Sequence, residues 1–183
     1  MYNHFPAKIL LFGEYGIIKG SKGIAIPLAT KYGSLVKVSS QEKVCQTLRL
    51  DEFYDYLKGS KLLSNSMDLE EFKKDINEGM YFESNIPQGY GIGSSGALCA
   101  AIYSKYSVNF ERKESYTESE LMSLKDIMAL MESFYHGSSS GLDCLISLIN
   151  LPILIESRSQ LQIIEAPRLS EFGKFYLFDS GEG

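Results

Sequence analysis

Pro87-Gln88-Gly89-Tyr90-Gly91-Ile92-Gly93-Ser94-Ser95-Gly96-Ala97 runs without a break into the apolar Leu98-Cys99-Ala100-Ala101-Ile102. Glycines at alternate positions let the backbone turn tightly and approach a ligand closely. The apolar run directly behind predicts a helix whose first amides and positive dipole end point into that turn. Such a juncture is an anion cradle, and phosphate is the anion it suits best.

Three other readings of these glycines compete. Gly91, Gly93 and Gly96 spell G-x-G-x-x-G, but a dinucleotide fingerprint needs a strand before it, a helix behind it and an acid closing a second strand. Here Pro87 interrupts the approach, and Ser104 to Ser119 reads as a helix end followed by a polar loop. A Walker A loop ends in Gly-Lys-Ser/Thr, and no lysine lies between Lys74 and Lys105. A glycine-rich turn with only a structural job stays open on this segment alone.

Composition narrows the class. The 183 residues suffice for one good core, or for one domain and part of another. A net charge of -5 argues against a nucleic-acid partner, which calls for a basic patch. Cys45, Cys99 and Cys144 form no C-x-x-C pair, so neither a disulfide framework nor a zinc site is indicated. No apolar run reaches the length of a membrane span and the N-terminus lacks a signal-peptide layout, so a reducing cytoplasm is the expected setting.

Patterning predicts an α+β fold. Ala7 to Phe12, Ile24 to Ala29, Leu35 to Ser39, Ile153 to Ile155, Leu161 to Ile164 and Phe175 to Phe178 read as strands, with a weaker one at Thr47 to Leu50. The stretch from Asp51 to Asn85 reads as polar, with a helical patch around Met67 to Ile76. A capping box, Thr117-Glu118-Ser119-Glu120, opens a helix whose apolar positions run from Leu121 to Tyr135 at spacings of three and four. Gly141 to Leu148 reads as a second, short helix.

That capped helix leads into Glu132-Ser133-Phe134-Tyr135-His136-Gly137-Ser138-Ser139-Ser140-Gly141-Leu142-Asp143. Glu132 and His136 are four apart and share a face. Asp143 follows a small-residue turn at the start of the next helix. Two carboxylates beside a phosphate cradle suit phosphoryl transfer, one holding a divalent metal and the other orienting or deprotonating a hydroxyl. Taken singly, Glu132 reads equally as a solvated helix residue and Asp143 as a cap. Gly137 to Gly141 also matches G-x-S-x-G, with Ser139 as nucleophile, but no histidine follows His136 and that hydrolase order is excluded. At the front, Pro6-Ala7-Lys8-Ile9-Leu10-Leu11-Phe12-Gly13-Glu14-Tyr15 places Lys8 on a short apolar strand. It is either a snorkelling strand-end cation or a charge pointing into a cleft.

Taken together, these three segments resemble the GHMP kinases. The opening strand ending in Gly13-Glu14 is similar to the family's first motif. Pro87 to Ala97 follows P-x-G-x-G-L-G-S-S-A-A, with Ile92 for Leu and Gly96 for Ala. Glu132 to Asp143 follows E-x-x-x-H-G-x-P-S-G-x-D of the mevalonate kinase branch, with Ser139 for Pro. Order and spacing agree in all three, while Val44 to Asn85 carries none of the likeness.

The resemblance implies a ribosomal protein S5 domain 2-like fold, a mixed or antiparallel sheet with helices packed on one face. It implies an ATP-binding N-terminal domain over 1–157 and the start of a truncated C-terminal part over 158–183. It implies MgATP as cofactor, with the backbone of Gly89, Tyr90, Gly91, Ile92, Gly93, Ser94 and Ser95 around the phosphates. Ser95 and Glu132 would hold Mg²⁺, and Ser140 would line the nucleotide region. Asp143 would be the acid-base residue with Lys8 beside it, while Glu14, Tyr15 and His136 would face the substrate. The implied reaction moves the γ-phosphoryl of ATP to an alcohol, mevalonate first. A sugar, a phosphorylated isoprenoid precursor or a non-catalytic nucleotide-binding role are the alternatives. Tyr15 replaces a substrate-contacting histidine, which leaves the acceptor open. A third glycine-rich motif of the family lies C-terminal to anything in this chain. Its absence would expose an apolar face and favour self-association, so a homodimer is an expected partner while nucleic acid and membrane are not.

Overall fold

The computed structural model describes residues 4–13, 20–37 and 44–165. Its sheet grows around one long strand. β2 (Gly23–Lys37) pairs along one edge with β1 (Phe5–Phe12). The opposite edge of β2 carries β4 (Ile153–Ser157) at one end and β3 (Met80–Ser84) at the other. β5 (Gln160–Ile163) extends the sheet beyond β4, and every pairing is antiparallel. That excludes the dinucleotide architecture, which needs parallel strands flanking its glycine turn. The strands expected from Ala7, Ile24, Leu35, Ile153 and Leu161 fall on β1, β2, β4 and β5, the one at Leu35 to Ser39 being seen as far as Lys37, whereas β3 is not among those expected. The strand expected at Phe175 to Phe178 lies outside the described residues, as do Glu14 and Tyr15.

Among the described residues there are six helices, α1 (Val44–Gly59), α2 (Lys61–Ser66), α3 (Leu69–Asn77), α4 (Ser94–Tyr106), α5 (Glu118–His136) and α6 (Leu142–Ile149); α2 packs on α1 and the other five reach the sheet. Thr47 to Leu50 is therefore helix rather than strand. Its alternation spans only four residues, whereas Leu50, Phe53, Tyr54 and Leu57 recur at three and four and are all buried. The stretch read as polar with one helical patch holds most of α1, all of α2 and α3, and β3. The patch itself is α3, whose Asp68 cap accepts from the Glu71 amide at 2.9 Å. The capping box of α5 is present: Thr117 Oγ1 accepts from the Glu120 amide at 3.3 Å, and Glu120 Oε2 accepts from the Thr117 amide at 2.8 Å.

Two apolar clusters result. The larger joins α1, α3, α4 and α5 through Phe53, Leu57, Phe72, Ile102, Met128 and Met131. The smaller joins α6 to the β4–β5 end of the sheet through Leu145, Ile146, Ile149, Ile153, Ile155 and Leu161. Each such side chain stabilises the fold by roughly 1.5–3 kcal/mol before chain entropy is counted. Between the clusters, α4 and α6 lie against each other and against β1 and β2. Their N-termini open on the same side.

Candidate active site

The turn leading into α4 has the form the glycines predict. Gly89, Gly91 and Gly93 have φ of 83°, 67° and 84°, in the left-handed region that glycine enters without strain. A Cβ on Gly89 or Gly91 would meet nothing within 4 Å, so this stretch of backbone is open to close approach. Gly93 is the N-cap of α4, and no side chain caps that helix. The amides of its first turn, at Ser94 and Ser95, are thus available to an anion. β1 anchors the loop, since the Lys8 amide donates to the Ile92 carbonyl at 3.0 Å. Tyr90 stands exposed at the tip, while the Ile92 side chain packs against the larger core cluster.

Glu132 comes from the last turn of α5 and is only 5% exposed. Ser95 Oγ donates to its Oε1 at 3.0 Å, and Ser139 Oγ donates to its Oε2. His136 Nε2 lies 3.0 Å from Ser95 Oγ. Because the Ser95 proton goes to Glu132, the ring nitrogen is the donor in that bond. Among the described residues no ammonium or guanidinium pairs with Glu132. A buried carboxylate satisfied only by hydroxyls is an all-oxygen set with uncompensated charge. It fits Mg²⁺, which takes one or two carboxylate oxygens and completes its shell with phosphate and water. No group of three or more His, Cys, Asp or Glu forms a protein-only metal cage among the described residues.

Asp143 sits in the first turn of α6, and Lys8 Nζ lies 3.2 Å from its Oδ1. Burial pushes the Asp143 carboxyl above its ordinary range; Lys8 pulls it down, and the nearby Glu132 pushes it up again. The closeness of α4 to α6 depends on Gly96. A Cβ there would lie 2.9 Å from the Cys144 nitrogen and 3.0 Å from the Asp143 Cβ. That contact brings Ser95 and Asp143 to one cleft.

The cleft measures about 430 Å³ and is lined by the glycine turn, Ser95, Glu132, His136, Ser140 and Asp143. Ser140 Oγ accepts from the Leu142 amide at 3.3 Å, so its hydroxyl proton is free to face the cleft. The structure thus brings together every described residue singled out from the sequence except Tyr90 and Ile92, which belong to the loop's tip and its anchor. Glu14 and Tyr15 lie outside the described residues.

A second cleft, about 610 Å³, shares Ser94, Ser95 and His136 with the first. Its walls are Leu50, Phe82, Ile86, Leu98 and Tyr135, with Arg49 at the rim, 5.6 Å from the Tyr135 ring centre. The Tyr135 hydroxyl is buried with no hydrogen-bond partner among the described residues. None of these wall residues was singled out. They come from α1, β3 and the residues just after it, α4 and α5, and no local spacing joins them. In the sequence Ser139 stands out only as the centre of a G-x-S-x-G match, and nothing in its spacing points to its bond with Glu132.

Residues 56–150 match the family model for the GHMP kinases N terminal domain. A mevalonate kinase of Thermococcus sibiricus is 29% identical over 184 residues, covering 88% of this chain and 54% of the relative. One from Pyrococcus abyssi is 30% identical over 164 residues, covering 79% of this chain and 48% of the relative. The solved mevalonate kinase of L. major, in complex with R-mevalonate, superposes with a TM-score of 0.51 at 17% identity, over 88% of this chain and 51% of that one. The chain spans about half the length of the relatives it matches. Among the described residues no helix is long and apolar enough to cross a membrane.

Proposed function

This chain belongs to the GHMP kinase family, and on that premise we propose that it forms the ATP-binding and catalytic half of a small-molecule kinase. The reaction moves the γ-phosphoryl of ATP to the hydroxyl of an alcohol, with mevalonate as the acceptor and 5-phosphomevalonate as the product. The observation that carries this reading is the Lys8–Asp143 pair, 3.2 Å apart at the mouth of an uncapped helix and an open glycine turn. A module that only held nucleotide would have no use for a carboxylate at that place. The choice of acceptor rests on relatives named as mevalonate kinases and on the R-mevalonate bound to one of them.

In this reading the turn's amides bind the phosphates, and Ser95 and Glu132 hold Mg²⁺. When bound, that ion neutralises phosphate charge. The larger cleft takes the base between Leu50, Phe82 and Leu98. Asp143 accepts the hydroxyl proton as the alcohol oxygen attacks the γ-phosphorus and the bond to ADP breaks. Lys8 stabilises the charge that develops beside it. Positioning and charge compensation supply most of the acceleration, since phosphoryl transfer needs little covalent help. In this reading the setting is the cytoplasm.

The test is phosphoryl transfer by the full-length protein with MgATP and a panel of mevalonate, sugars and homoserine, with Asp143→Asn as control. Phosphorylation of mevalonate that collapses in the variant is the expected result. ATP binding without transfer to any alcohol would sink the catalytic reading and leave a nucleotide-binding module.

A further inference from the structure

Arg49 stands on α1, ahead of the residues that match the family model and in a stretch that carries none of its motifs. Its place is nevertheless well fixed. Leu50 and Phe53 are buried and anchor this turn of α1 in the larger core cluster. Phe53, four residues on and so on the same face as Arg49, packs its ring 5.5 Å from that of Tyr135. The Arg49 guanidinium lies 5.6 Å from the centre of the same ring, a cation–π distance that holds an otherwise exposed side chain at the rim of the larger cleft. Tyr135 is followed by His136, whose Nε2 is 3.0 Å from Ser95 Oγ. A short run of contacts therefore joins Arg49 to the first turn of α4, where the phosphate cradle begins.

Charge gives this placement its meaning. Among the described residues Arg49 is the one ammonium or guanidinium lining either cleft, and no carboxylate pairs with it. Lys8 is matched by Asp143, which leaves Glu132 as uncompensated negative charge. A nucleoside triphosphate brings more negative charge than one Mg²⁺ cancels, so walls that were only neutral and acidic would disfavour it. We propose that Arg49 is a nucleotide-binding residue whose guanidinium pairs with the α-phosphate of ATP. The α-phosphate is the one within reach, because Arg49 lines the cleft that takes the base and not the one that holds Asp143. A guanidinium presents a planar fork that matches two phosphate oxygens at once, whereas a lysine ammonium acts as a point charge. The inference rests on the reading of the two clefts as one nucleotide site.

The experiment is displacement of a fluorescent ADP analogue from the full-length protein by ADP, AMP and adenosine, in EDTA so that no cation bridges the phosphates. It compares the wild type with Arg49→Ala and Arg49→Lys. Because Arg49 is exposed, both variants are expected to melt with the wild type. Arg49→Ala is expected to weaken ADP and AMP about tenfold, as suits loss of a hydrogen bond between charged groups, and to leave adenosine unchanged. Arg49→Lys is expected to recover part of that loss. Adenosine weakened as much as AMP would mean that the side chain holds the base, and ADP weakened without AMP would mean the β-phosphate; either overturns the assignment. So does an Arg49→Ala variant that binds all three as the wild type does. Wild-type protein that binds no ADP overturns the nucleotide site itself, and this inference with it.

Discussion

Two aspartates in this molecule are held by lysines, and they are held to opposite effect. Asp75 on α3 is 1% exposed and pairs with Lys37 Nζ at 2.6 Å and Lys105 Nζ at 2.5 Å, while the Tyr106 hydroxyl donates to it at 2.6 Å. Burial works against its ionisation, yet these partners outweigh it and hold the carboxyl well below the ordinary range. Asp143 has one lysine, and a second carboxylate close by, so burial prevails and its affinity for a proton rises. An acid with more partners than it needs joins elements together. One with too few is poised to take a proton.

The largest expected effect follows from the under-partnered acid. Asp143→Asn is expected to lower turnover about 10³-fold, the scale of a lost general base. Its melting temperature is expected to hold or rise. A raised carboxyl pKa means that ionising Asp143 costs stability in the fold. That cost is absent below the ordinary value of 3.8 and grows to its full size once pH exceeds the folded pKa. Thermal melts at neutral pH beside steady-state rates check both halves.

Next comes the single partner that restrains it. Lys8→Met is expected to lower turnover about 10²-fold, within the range for a positioned charge. Without the ammonium the Asp143 pKa climbs further, so the acidic limb of the pH–rate profile should move to higher pH. A limb that stays in place would mean that Lys8 does not bear on Asp143.

Asp75→Ala inverts the pattern. It is expected to cost about 2 kcal/mol by urea unfolding, less than a fully buried pair would, because both lysines rehydrate where they stand. Turnover below the melting range should be unaffected. The sign with pH is also opposite to that of Asp143. The contribution of Asp75 is complete above 3.8 and is lost as pH falls toward its depressed folded value, so the variant's stability should fall less steeply on acidification. The smallest effect is expected from His136→Gln, whose amide can still donate to Ser95: a few-fold rise in KM for ATP with kcat little changed.

The same contrast explains what could be read in the sequence. Ser95, Glu132 and Asp143 each sit in a stretch whose local spacing carries meaning, a small-residue turn before a helix or a pair four apart on one face, whereas Lys8 is marked only by its place on a short apolar strand. Gly96 then closes the helices together, and α5 declares itself by its capping box. Asp75 carries no such mark, since its partners come from the end of β2 and the last turn of α4. The cleft walls are equally dispersed among α1, β3 and the residues just after it, α4 and α5. Thr47 to Leu50 has a strand's pattern in isolation, and the helical period of α1 appears only once Phe53, Tyr54 and Leu57 are counted with Leu50.

One measurement bears most directly on the division between these acids: turnover and melting temperature of Asp143→Asn and Asp75→Asn, determined side by side in the full-length protein with MgATP and mevalonate. The expected result is a crossed pattern, with Asp143→Asn stable and inactive, and Asp75→Asn active at low temperature but melting earlier. Asp143→Asn retaining more than about a tenth of wild-type turnover, less than the smallest general-base effect, would contradict the assignment of Asp143 as the base.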